Sequence, residues 1–414
     1  MKKFLALLLA LTMALALVAC GGGGDTTEDT SGDSTPSTGD TATTGGDDAA
    51  SEYKVAMITD YGDITDQSFN QTTYEACKEY CAANSIDFNY FKPAGDSTAE
   101  RVAMIEKAAD EGYNLIVMPG FAFAGAIVEA ASQFPDIKFV VLDVAKGDYL
   151  EAGVGAAGEQ YDYNPDNWEL SKYVDLSNVY TMIYQEELCG YMAGYATVKM
   201  GYTDLGFCGG MAVPAVIRYG YGFLQGADAA ASELGVDVNV KYAYANQFFG
   251  DADITAAMDT WYAGGVEAVF ACGGGVYTSV AEAAAKVGGK VVGVDVDQAG
   301  IIDGGYGEGM TITSAMKGLA SSTKDALKQI IEDGKWDNLK GWIVSLGLVS
   351  AEDLDANFVG IPASTQWCDS FTEDDYKAMV ASMVSGELEV SNDISKAVSD
   401  VVSNITVEDL GNLK

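Results

Sequence analysis

From Tyr53 onward, short apolar runs alternate with segments of helical periodicity, and the alternation occurs twice. In the first series, Tyr53–Thr59, Asp87–Phe91, Leu115–Met118 and Lys138–Asp143 read as strands. Phe69–Asn84, Thr98–Glu111 and Ala122–Gln133 read as the helices between them. Val102, Ile105, Ala108 and Ala109 share one helical face, and Ser68 or Asp66 can cap the helix that follows the first strand. A β-α-β-α-β-α-β order is the mark of a parallel sheet covered by helices on both faces. The second series has strands at Asp204–Cys208, Val236–Tyr244, Ala268–Cys272, Lys290–Val294 and Gly309–Ser314. Its helices are expected at 183–200, Tyr219–Glu233, 253–264 and 277–287. The fold class is therefore α/β, with two doubly wound parallel-sheet lobes and a hinge.

The predicted boundaries are 53–175 for the first lobe, completed by about 316–345. The second lobe is 176–315, completed by about 346–414. Helices are expected at 317–334, 373–384 and 394–403, with the tail returning across the hinge. At 414 residues the chain is long enough for more than one core.

The first 52 residues have a different character. Lys2 and Lys3 precede an apolar run over 4–19, short for a membrane span and typical of an export signal. The run ends in Leu17-Val18-Ala19-Cys20, which resembles the lipobox of bacterial lipoproteins, with Cys20 as the acylated residue. Residues 21–52 are Gly, Ser, Thr and acids with no basic residue, so they read as a disordered tether. The expected location is the outer face of the cytoplasmic membrane, held by lipid.

Charge and composition exclude several functions. A formal net charge of −38 is unsuited to gripping nucleic acid. The absence of histidine removes Ser-His-Asp and Cys-His catalysis and the commonest transition-metal ligand. Cys77, Cys81, Cys189, Cys208, Cys272 and Cys368 are scattered, and most are expected as buried free thiols. No catalytic residue, metal or cofactor is expected, and the protein is expected to be a monomer.

Ligands of doubly wound sheets bind beyond the carboxyl ends of the strands. The residues there are Asp60, Gly120-Phe121, Asp143, Gly209-Gly210, Gly273-Gly274-Gly275 and Asp295. Glycines allow close approach to backbone, and carboxylates accept hydrogen bonds from hydroxyl and amine donors. Phe69 and Asn70 follow the first strand's turn, at a helix start near the same edge.

Asp66-Gln-Ser-Phe-Asn70 resembles the signature of the basic membrane protein family of lipoproteins. Phe139–Asp143, Glu186–Gly194, Gly222–Gly226, Gly293–Gln298 and Thr313–Lys317 resemble further family motifs in the family's order, over roughly 53–345. The resemblance implies a type I periplasmic-binding-protein fold and a nucleoside receptor that serves an ABC transporter permease. It implies that Asp60, Phe69 and Asn70 contact the ligand, with Phe69 stacked on a purine. By the same resemblance Asp143 reads the base, and Asp295 and Lys317 hold the ribose. A second stacking ring is expected from Phe248 or Phe249. The turn reads Gly-Asp-Ile-Thr-Asp-Gln where the family often has Gly-Gly-Ile-Asp-Asp-Lys, and 151–178 is longer and more aromatic than usual. A receptor for a sugar or other polyol, an anchored nucleoside hydrolase and a purely structural surface antigen remain alternatives.

Overall fold

The computed structural model describes residues 52–413; the signal, Cys20 and most of the tether lie outside the described residues. The first lobe begins β1 (Lys54–Ile58), α1 (Phe69–Ala83), β2 (Asp87–Phe91), α2 (Thr98–Asp110) and β3 (Leu115–Pro119). It continues through α3 (Phe123–Ala130), β4 (Lys138–Leu142), α4 (Lys146–Ala156) and β5 (Val179–Tyr184). The second lobe runs α5 (Glu186–Lys199), β6 (Asp204–Gly209), α6 (Pro214–Leu234), β7 (Asn239–Tyr244) and α7 (Ala252–Ala263). It goes on with β8 (Ala268–Cys272), α8 (Tyr277–Val287), β9 (Lys290–Asp295), α9 (Ala299–Tyr306) and β10 (Thr311–Lys317). After α10 (Leu319–Ile331) and α11 (Trp336–Leu339) come β11 (Ile343–Leu346), β12 (Val359–Gly360), α12 (Glu373–Ser385) and β13 (Thr406–Asn412).

The two sheets share one plan. The first has the order β11-β5-β4-β3-β1-β2, the second β12-β10-β9-β8-β6-β7-β13. The innermost strands β3 and β8 are apolar throughout, as burial on both faces requires: all five residues of each are buried. β2, at the edge, buries only Phe91 fully.

The chain crosses between lobes three times. β5 ends in the first sheet and α5 packs on α6 of the second lobe. β10 ends in the second sheet and α10 returns to pack on α1. The third crossing runs from β11 to β12. Backbone bonds lace these crossings together: Gln185 N to Leu346 O at 2.9 Å, and Gly318 N to Phe358 O at 2.7 Å.

Sheet membership moves the first boundary. β5 pairs with β4, Phe139 opposite Val179, so the first lobe reaches Tyr184 and does not stop at 175. The sequence reading takes 176 onward as second lobe and reads no strand here, since an apolar run directly before a helix does not reveal which sheet it joins. The expected helix at 183–200 accordingly starts at Glu186, and the one at 394–403 is replaced by turns and a short 3-10 segment, Val398–Asp400. β10 extends to Lys317, so the helix expected from 317 starts at Leu319. The six cysteines among the described residues are unpaired thiols, five of them buried and Cys368 partly exposed.

Helices α5 and α6 meet at reciprocal glycines. A Cβ on Gly194 would lie 2.0 Å from Phe223 O, and one on Gly226 would lie 2.0 Å from Tyr191 O. Gly190 and Gly222 face the opposite backbone at 2.4 and 2.1 Å. Backbones this close cannot accommodate any side chain at these points. The first helix after the crossover is thereby fixed onto the second lobe.

Candidate functional site

Asp60 ends the first strand, and its Oδ1 accepts from Tyr61 N at 2.6 Å and Gly62 N at 2.7 Å. Burial pushes its carboxyl above the usual carboxylate range, while those amides and Arg101 pull it back. Gly120, at φ +124, leaves room for it, since a Cβ there would be 2.8 Å from Asp60 Oδ2.

The next turn divides labour between two residues. Asp66 caps α1, accepting from Ser68 N at 3.0 Å, Asn70 N at 2.9 Å and Gln71 N at 3.0 Å. Ser68, the N-cap by position, makes no capping bond. Its Oγ crosses to the second lobe and donates to Asp295 Oδ2 at 2.5 Å. Phe69 then begins the helix, and its ring lies 4.7 Å from Lys317 Nζ. Asn70 is buried, with Nδ2 bonded to Asp66 at 3.2 Å and Oδ1 unpartnered.

Asp143 and Asp295 occupy equivalent places in the two lobes. Each stands at the end of the fourth strand of its series, and each has a positive φ, 61° and 65°. Non-glycine residues in this region are uncommon and concentrate at functional turns. Here the conformation turns both carboxylates toward one lysine. Lys317 Nζ pairs with Asp143 Oδ2 and lies 3.6 Å from Asp295 Oδ1. Asp295 Oδ1 also accepts from Tyr219 OH at 3.2 Å. Asp143 Oδ1 is buried and unpartnered.

Burial opposes the charge on Lys317, but Asp143, Asp295 and Glu186 hold its pKa above the lysine norm. Burial and Glu186 push Asp143 up to about 6 against the pull of Lys317. Arg218 completes the cluster, donating from Nε to Glu186 Oε2 at 2.7 Å, with Glu187 at 3.9 Å.

Aromatic rings form the other walls. Phe248 packs against bare backbone: a Cβ on Gly210 would meet its ring at 2.4 Å, and one on Gly273 would meet it at 2.9 Å. Across the cleft Phe121 faces it at a centroid distance of 6.4 Å. Phe249 is 55% exposed, at the mouth.

Together these groups enclose a cavity of about 330 Å³, within the range of small-molecule sites. Asp60, Phe69, Asn70, Asp143, Phe248, Phe249, Asp295 and Lys317 all line it. Phe121, one of the strand-end residues of the sequence, lines it too, and so do Tyr61 and Tyr219, which the sequence reading did not include as site residues. Phe121 follows a strand-end glycine, the position from which the sequence reading names it, without assigning it a contact. Glu186 opens one of the motif stretches and Arg218 lies in none, but neither was a site candidate, because their roles depend on a meeting of α5, α6 and β10. The wall contains one thiol, Cys272, buried and with its pKa pushed well up by burial. Among the described residues no cluster of three or more Cys, Asp or Glu is arranged to hold a metal. The arrangement can cover a flat ring on its faces and accept hydrogen bonds at its edges.

Two parallel-sheet lobes joined by three crossings, with a cavity between their strand ends, define a two-lobed solute-binding protein. Solved structures agree on the fold. The solute-binding protein of an Aeropyrum pernix ABC transporter system has a TM-score of 0.57 at 21% identity, over 84% of this chain and 90% of that one. One from Conexibacter woesei has a TM-score of 0.58 at 20% identity, over 82% and 99%. The family model described as ABC transporter substrate-binding protein PnrA-like, Bmp, matches residues 53–390, and the chain belongs to that family. Among its relatives is the ABC transporter nucleoside-binding protein BmpA of Lactococcus lactis, 28% identical over 72% of this chain and 83% of that protein. The basic membrane protein A of Borreliella burgdorferi is 24% identical over 59% and 64%.

Proposed function

We propose that the protein captures a purine nucleoside or close analogue and presents it to an ABC importer, without chemical change to the solute. The observation that carries this reading is the convergence of Phe69, Phe248, Asp143, Asp295 and Lys317 on one cavity. Aromatic faces on both sides suit a base, since stacking contributes roughly 1–3 kcal/mol per base. Asp295 and Lys317 suit the vicinal hydroxyls of ribose, and the unpartnered Asp143 Oδ1 suits an N–H donor on the base. Asp60 and Asn70 supply further polar contacts beside Phe69, and Phe249 guards the entrance. A ligand lacking a matching donor leaves a buried acceptor unpaired, which costs about 1–3 kcal/mol. The relative from Lactococcus lactis is named for nucleoside binding, which supports the same reading.

Binding without turnover fits carboxylates engaged in ion pairs and hydrogen bonds. Acylation at Cys20 and the acidic tether would hold a monomeric binding body outside the cytoplasmic membrane, beside its permease. Relatives from Pyrococcus abyssi and Pyrococcus horikoshii carry the name lipoprotein. Calorimetry with guanosine, inosine, adenosine, uridine and free ribose tests the ligand class. Heat from the purine nucleosides is expected. Heat from none of the nucleosides overturns the reading, and tight ribose binding alone would favour a sugar receptor. Mass spectrometry of the mature protein tests the lipid on Cys20.

A further inference from the structure

Glu186 does not line the cavity, yet it is wholly buried and touches the cavity's lysine. It is the first residue of α5, immediately after the first crossing between lobes. Lys317 is the last residue of β10, immediately before the second crossing. Glu186 Oε1 lies 3.5 Å from Lys317 Nζ and has no hydrogen-bond partner, while Oε2 is held by Arg218 Nε at 2.7 Å. The same two crossings meet again where Tyr184 OH and Ser322 Oγ share a 2.6 Å hydrogen bond.

We propose that Glu186, held by Arg218, is a positioning residue that ties the ligand-facing Lys317 to the hinge, so that solute capture and hinge geometry are coupled through this ion pair. The proposal rests on the receptor reading above. Lys317 stands among three carboxylates, Asp143 from the first lobe, Asp295 from the second and Glu186 from the crossing. Without Glu186 the ammonium would be drawn by Asp143 and Asp295 alone, and the crossings would lose their direct ionic link. Removing one partner from a buried ion cluster leaves the remaining charges imperfectly compensated. A solute that bonds Asp143, Asp295 or Lys317 therefore acts on the groups that set the crossings.

Glu186→Gln, Lys317→Met and the double variant test this. Calorimetry with inosine is expected to show a dissociation constant raised at least tenfold in Glu186→Gln, with the circular dichroism spectrum unchanged. In the ligand-free proteins, exchange of the Gln185 and Gly318 amides is expected to quicken at least tenfold in each single variant. The double variant is expected to exchange no faster than the faster single one. An inosine affinity within threefold of the wild type overturns the proposal, and so do exchange gains that multiply in the double variant. If the wild-type protein takes up no nucleoside, the receptor reading fails by itself, and the exchange comparison alone decides the positioning role. Should Glu186→Gln not fold, Glu186→Asp, which keeps the charge and shortens its reach, takes its place with the same expected direction.

Discussion

Ser68 Oγ donates a 2.5 Å hydrogen bond to Asp295 Oδ2, joining the start of α1 in the first lobe to the end of β9 in the second. The bond exists because Asp66 has taken over the capping of α1 and left the Ser68 hydroxyl free. A second bond runs beside it, from Gln298 Nε2 to Gln67 O at 3.2 Å. These contacts hold the lobes together at the carboxylate proposed to meet the solute.

Ser68→Ala removes one donor from a buried carboxylate, a loss of about 1–3 kcal/mol. Inosine affinity is expected to fall by roughly tenfold, since 1.4 kcal/mol is one decade. Calorimetry checks this, and an unchanged dissociation constant would separate Ser68 from capture.

The three phenylalanines differ in exposure and so in expected effect. Phe69→Ala and Phe248→Ala should each cost roughly 1–3 kcal/mol of nucleoside affinity. Phe249 is 55% exposed, so Phe249→Ala should cost about 0.5 kcal/mol or less. Parallel titrations with guanosine rank the three.

Buried acids near the cluster make stability depend on pH. Burial pushes Glu187 up to about 7, helped by Glu186, and it pushes Asp148 up to about 7 against the pull of the Ala145 amide. A carboxyl whose native pKa is raised binds its proton more tightly when folded. Its stabilising contribution is full below the unfolded pKa and is lost as pH rises through about 7. Urea unfolding should therefore show stability falling between about pH 4.5 and 7.5, and Glu187→Gln should fall less over that interval. Equal slopes for the two proteins would contradict the burial assigned to Glu187.

Gly194→Ala should destabilise despite the better helix propensity of alanine, worth about 1 kcal/mol. The new Cβ would meet Phe223 O at 2.0 Å, and overpacking of this kind costs about 1–3 kcal/mol or more. A lower midpoint in thermal unfolding is the expected result.

The segment after residue 390 lies beyond the family match and forms a strap over α6. Asp228 accepts from Ser403 N at 3.0 Å, Asn404 N at 2.6 Å and Ile405 N at 3.1 Å, which positions β13 beside β7. Asp228→Ala should speed amide exchange across Thr406–Asn412 and leave inosine affinity unchanged.

Alternation of apolar runs with helical periods determined the α/β class, the two series of strands and the strand-end positions. The reason is local: burial of a central strand on both faces demands a continuous apolar run, as Leu115–Pro119 and Ala268–Cys272 supply. Strand-end and helix-start positions brought Asp143, Asp295 and Phe69 forward, and motif resemblance added Lys317 and the contact expected of each. Tertiary structure alone decided that Val179–Tyr184 joins the first sheet, because an apolar run does not name its neighbour. It also decided that Glu186, Arg218 and Ser68 reach the cluster around Lys317. These are contacts between different elements, from Arg218 on α6 with Glu186 on α5 to Ser68 at the start of α1 with Asp295 at the end of β9; they depend on where those elements come to rest, and no spacing along the chain encodes that.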